Sequence, residues 1–166
     1  MRRSPAPELT AGPTAAFGPW LRWRVAALRG STRQRRFTAS VEVADAGRAA
    51  GLPAPAGWLC PAETLDHALR VEVLLRLLAP GGRLAVVLVR PGRHDPGDDD
   101  YAWLAAAPVA ADVASAQLCA VVVLSRWGWL DLLTGEQRSW VRLRPPDGSQ
   151  SSGQVCTGSL ECMYLP

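Results

Sequence analysis

Few stretches of this 166-residue chain bring together residue types that could do chemistry. The densest is Arg90–Asp100, RPGRHDPGDDD, where His94 stands among Asp95, Asp98, Asp99 and Asp100. A hard cation such as calcium or magnesium needs several oxygens converging from a shaped loop. Three consecutive aspartates at a helix start point in different directions, so they read as a charged first turn that complements the helix dipole. No metal and no cofactor are expected. Ser125 closes an apolar run, a position where open α/β sheets carry site residues. A nucleophile also needs a base and an orienting group, and the local run Val123-Leu124-Ser125-Arg126-Trp127 lacks a glycine elbow. His67 falls on the polar face of a helix with no partner in the pattern. Cys60, Cys119, Cys156 and Cys162 form no CxxC pair, so neither a zinc site nor a disulfide framework is implied. Arg33, Arg35 and Arg36 are of another kind. With Arg22 and Arg24 they could track a phosphate backbone, and they are the candidate nucleic-acid-binding residues. Trp23 and Phe37 could stack on bases, but their alternation puts them on the apolar side, as core.

The elements that must position these groups follow from periodicity. Residues 1–19, rich in Pro, Ala and Gly, read as a flexible leader. From Trp20, the residues Leu21, Trp23, Val25 and Ala27 alternate with Arg22 and Arg24, and Phe37–Val43 alternates in the same way. The two runs predict an antiparallel N-terminal β-hairpin whose loop carries the arginines. Residues 45–60 read as a loop. A helix starts near Pro61 and Glu63. Leu65, Leu69, Val73 and Leu77 form its apolar stripe, widened by Ala68, Leu75 and Leu78, with Asp66, His67, Arg70 and Arg76 opposite. Pro80-Gly81-Gly82 stops it. Leu84–Val89 and Leu118–Leu124 are uniformly apolar, as central strands covered on both faces should be. Between them a helix begins at Asp98, and Pro108 is expected to kink or split it. Strand, helix and strand make a βαβ unit, normally parallel. Trp127–Leu133 should cap the sheet, and Ser139–Leu143 should add a short edge strand. From Pro145 the Pro, Gly, Ser and Gln content predicts a disordered tail to residue 166. The expectation is one three-layer-like α/β domain at 20–144, with a mixed sheet around two apolar strands.

Bulk composition is that of an ordinary globular chain, 48% hydrophobic and 20% charged. All 18 basic residues are arginine, and Lys, Asn and Ile are absent, which marks a very GC-rich gene more than a need for arginine. Residues 1–48 hold nine Arg against Glu8, Glu42 and Asp45, whereas 91–135 holds six Asp against Arg93 and Arg126. Such an uneven balance fits either a polar partner or two solvated faces. There is no signal-peptide h-region and no run of membrane-spanning length, so a cytoplasmic protein without membrane contact is expected.

Two resemblances bear on function. Leu77–Val87, LLAPGGRLAVV, is similar to the late-sheet turn of class I methyltransferases, although Val41–Gly47 lacks the glycine pattern of their cofactor loop. The region Leu65–Leu133 resembles the RadC-like JAB (MPN) domain, notably its divergent versions in GC-rich actinobacteria. Val87–Asp100 can be laid without a gap on that family's HxHPSGDPxPSxxD loop, with Pro96 on the later proline and Asp100 on the acidic ligand. The two metal-binding histidines fall on Val87 and Val89, and the serine falls on Gly97. The resemblance therefore implies a non-catalytic scaffold associated with DNA repair and acting through protein or nucleic-acid contacts. The alternatives are a small S-adenosylmethionine-dependent methyltransferase-like enzyme and a marginal reading frame without defined function.

Overall fold

The computed structural model describes residues 17–31, 37–45, 56–59, 65–78 and 80–143. The order is α1 (Gly18–Ser31), β1 (Ser40–Asp45), β2 (Ala56–Leu59), α2 (His67–Leu77), β3 (Arg83–Val89), α3 (Asp98–Val113), β4 (Gln117–Ser125), β5 (Gly128–Asp131) and β6 (Gln137–Ser139). The six strands form one mixed sheet in the order β2-β1-β3-β4-β5-β6. Among the described strands only β3 and β4 run parallel, joined by α3, as the βαβ pattern predicts. Both are buried almost throughout.

The faces of the two central strands explain the three layers. Ala85, Val87, Val89, Ala120, Val122 and Leu124 turn towards α1 and pack on Phe17, Trp20, Leu21, Val25 and Leu28. Leu84, Val86, Leu88, Val121 and Val123 turn the other way, onto Leu74 of α2 and Trp103, Ala106, Ala107 and Ala110 of α3. A strand with a packed helix layer on each side has no polar face, which is why both runs lack alternation. The register slips between Leu84 and Ala85, where Cys119 is the extra residue of a bulge. Its buried thiol fills the α1-side core as a small hydrophobe.

Several expectations are corrected. Trp20–Ala27 is helical. Phe17, Leu21, Val25 and Leu28 recur every three or four residues and are buried, whereas Trp23 stands on the outer face, 36% exposed. The short run satisfied periods of both 2 and 3.6, and packing against the sheet selected the helix. The N-terminal hairpin therefore pairs β1 with β2, a strand inside the segment read as a loop. Phe37 does pack against the α1-side core. Phe17, assigned to the leader, is fully buried; residues 1–16 and 144–166 lie outside the described residues.

Further corrections concern the helices and the sheet edge. In and beside α2, Leu65, Val73, Leu75, Leu77 and Leu78 of the expected stripe pack against the α3-side core, but the fully buried residues are Arg70 and Leu74, and Leu69 is half exposed. The helix begins at His67, capped by the Asp66 carboxylate, which accepts the Leu69 N–H at 2.8 Å. α3 is not split at Pro108 but continues through it as one helix. Beyond β4, Gly128–Asp131 is a strand rather than a cap, and the edge strand is Gln137–Ser139. Gly128 is required where β5 meets β6, because a Cβ there would lie 2.1 Å from the Arg138 carbonyl oxygen.

Candidate functional site

The carboxyl ends of β3 and β4 lie side by side, and the loops leaving them carry most of the chain's distinctive polar residues. In an open α/β sheet this end is where ligands are received. Two arrangements occupy it, one on the α3 side and one on the α1 side.

On the α3 side, Arg90 follows β3 directly, and its backbone N–H donates to the Leu124 carbonyl of β4 at 3.1 Å. Its guanidinium holds the whole loop. Nε lies 3.1 and 3.2 Å from the two Asp100 carboxylate oxygens, and Nη2 lies 2.9 Å from Oδ2. Nη1 donates to the Arg93 carbonyl at 2.9 Å, and Nη2 also reaches the Asp95 carbonyl. The Asp100 carboxylate accepts the Gly97 N–H at 2.8 Å, which caps α3. Asp100 is buried, and its charge is matched by a two-pronged arginine, the geometry in which such pairs are strongest. Asp99 faces elsewhere, 2.8 Å from Arg70 Nη2. Arg70 is buried with Nε on the Leu65 carbonyl and its guanidinium 5.1 Å from the Trp103 ring centroid, so it bolts α2 to α3. Asp98 is exposed, and Asp95 meets Arg93 at 3.4 Å on the surface.

The carboxylates of Asp95, Asp99 and Asp100 thus diverge onto separate arginines. Among the described residues, no group of three His, Cys, Asp or Glu side chains is placed to hold a metal ion. The positions matched to the JAB metal loop do not fit a zinc centre either. Val87 and Val89 offer no lone pair and are packed into the α1-side core, while Asp100 is committed to Arg90 and Gly97.

His94 is buried in the same loop. Its Nε2 is 3.2 Å from Ser139 Oγ of β6, which ties the loop to the sheet edge, and its Nδ1 is buried without a hydrogen-bond partner. Burial lowers its pKa below the usual 6.5; Asp95 opposes this, and Arg93 and Arg90 reinforce it. His67 is exposed at the start of α2.

On the α1 side, β4 turns into β5 through two residues, Arg126 and Trp127, because Ser125 pairs with Gly128. Ser125 is fully buried, and its Oγ accepts the Trp127 N–H at 3.1 Å, so its hydroxyl fixes the turn. Trp127 is thereby presented at the tip, 47% exposed. Arg29, in the last turn of α1, donates to the carbonyls of Arg126 and Trp140. The Arg29 and Arg126 guanidinium carbons each lie 5.7 Å from the Trp127 ring centroid. Burial and the neighbouring Arg126 charge lower the Arg29 pKa. Among the described residues, neither arginine forms an ion pair with a carboxylate. Arg24, by contrast, is taken up by Glu42 of β1, with Nε 2.9 Å from Oε2.

Arg33, Arg35 and Arg36 lie outside the described residues, in the stretch that follows Ser31 of α1. Sequence reasoning missed the Arg29–Trp127–Arg126 group. One signal was present, an Arg-Trp pair between an apolar run and a glycine, as befits a tight hairpin tip. Pro80-Gly81-Gly82, the phrase similar to methyltransferases, lies at the opposite, amino end of β3. No described helix is long and apolar enough to cross a membrane. Comparison with protein-family models, with curated proteins and with solved structures finds no match for this chain.

Proposed function

We propose that this chain is a non-catalytic scaffold, RadC/JAB-like in plan, that acts by holding nucleic acid at the carboxyl edge of its central strands. The single observation that carries the proposal is the exposed Trp127 flanked by Arg29 and Arg126, two cations without carboxylate partners among the described residues. Unneutralised arginines beside an exposed aromatic ring are the chemistry that a polyanion with planar bases requires. Supporting the scaffold plan, Leu65–Leu133 contains the helix–strand–loop–helix–strand order of the resemblance. Supporting the absence of metallopeptidase chemistry, Val87 and Val89 stand where that family has histidines. A cytoplasmic location belongs to the same proposal.

The test is binding of a fluorescently labelled oligonucleotide across a salt series. Affinity should fall as salt rises, and Arg126→Ala should weaken it at low salt. Replacing Arg33, Arg35 and Arg36 together by Ala measures what the neighbouring basic stretch adds. Salt-independent binding, or stoichiometric zinc in the folded, tag-free protein, would contradict the proposal.

A further inference from the structure

We infer that Trp127 is a base-stacking platform, and that the nucleic acid held at this edge is single-stranded. This rests on the function proposed above and specifies its ligand. The indole stands at the tip of a two-residue turn, so its position is set by the sheet and not by a long loop. Ser125 Oγ holds the turn from beneath through the Trp127 N–H, and the packing of Gly128 on Arg138 leaves β5 little room to shift. Such a ring costs little entropy to use, because it is already in place. A duplex hides the faces of its bases in its own stack, whereas an unpaired strand can lay one on an exposed indole.

The two arginines take different parts. Arg29 is anchored by the carbonyls of Arg126 and Trp140, so its charge stays beside the ring. Among the described residues, the Arg126 guanidinium makes no hydrogen bond, and its contact there is with the ring. An exposed cation–π contact is a weak hold. A stacked base binds an indole more strongly than that. A base can therefore displace Arg126 from the indole, and the released guanidinium is then free to meet the phosphate of the same nucleotide. Two phosphate contacts on a single strand predict a log–log salt slope of about −1.4. Stacking does not read base edges, so preference among bases should be weak.

Anisotropy titrations of the full chain test this with three labelled probes: an oligothymidylate of about 12 nucleotides, an abasic strand of the same length and a duplex of the same length. Trp127→Ala should weaken binding of the oligothymidylate roughly 5- to 150-fold and leave the abasic strand unaffected. Trp127→Phe, which keeps a ring at the tip, should retain most of the affinity and guards against misfolding of the alanine variant. Circular dichroism of each variant completes that control. Equal oligothymidylate affinity for wild type and Trp127→Ala, or a duplex bound as tightly as the single strand, would overturn the stacking inference while leaving nucleic-acid binding in place. If none of the three probes binds at low salt, the proposed function itself fails, and a protein partner becomes the occupant to seek.

Discussion

Removing the Asp100 carboxylate should be among the most damaging single changes outside the apolar core. The side chain is 4% exposed and meets Arg90, whose own side chain is 25% exposed. It also takes the Gly97 N–H at the start of α3. Asp100→Ala leaves a partly buried guanidinium without its counter-ion and an amide without its acceptor. Breaking one side of a buried pair costs about 3–5 kcal/mol. Because water reaches Arg90, the lower end applies, about 3 kcal/mol. Against a total stability of about 5–15 kcal/mol that is a large fraction. Asp100→Asn keeps an acceptor for Gly97 and should lose less. Urea denaturation gives the answer, read as a lower midpoint at an unchanged m-value. The reasoning also predicts that calcium and magnesium leave the wild-type midpoint unmoved, since the loop carboxylates diverge. A loss below about 1 kcal/mol, or stabilisation by either cation that vanishes in Asp100→Ala, would refute it.

Other outcomes follow from the same geometry. His94 has a folded pKa below its unfolded 6.5, so the native state binds fewer protons, and stability should fall as pH drops from about 6.5 through the folded pKa. His94→Gln should flatten that slope in a pH series of denaturation midpoints. Leu21 is buried in α1 and Trp23 faces outward, so Leu21→Ala should cost about 2–5 kcal/mol and Trp23→Ala about 1 kcal/mol or less. Similar losses at both positions would favour the alternating strand. Gly128→Ala would push a Cβ to 2.1 Å from the Arg138 carbonyl, so β6 must move or detach. A loss above about 2 kcal/mol, with faster amide exchange in Gln137–Trp140, is expected.

The central layer was legible because a strand buried on both faces leaves an unbroken apolar run. Leu84–Val89 and Leu118–Leu124 could be little else, and the charged start of α3 was legible from Asp98, Asp99 and Asp100. What escaped was settled by contacts beyond the local pattern. WLRWRVA satisfies two periods at once, and only Phe17 and Leu28, outside the alternating run, reveal the helical stripe. Ala56–Leu59 is four residues long within a Pro- and Ala-rich segment, and it becomes a strand by pairing with β1. Arg70 counted as a polar-face residue, yet its stem is buried and its head is satisfied by Leu65, Asp99 and Trp103. The Arg29–Trp127–Arg126 group was the least legible feature. It unites Arg29, Arg126, Trp127 and the carbonyl of Trp140, which are drawn from three separate stretches and meet only after the sheet has ordered.

The most direct test of a nucleic-acid contact at this edge is a two-dimensional amide and indole NMR titration of the labelled full chain with a short single-stranded oligonucleotide. The account predicts shifts at the Trp127 indole, identified by its absence in Trp127→Phe, and at the amides of Arg29, Arg126 and Trp127, with Arg70 and Asp98–Asp100 unmoved. Shifts concentrated at Arg90–Asp100 with a silent Trp127 would contradict it.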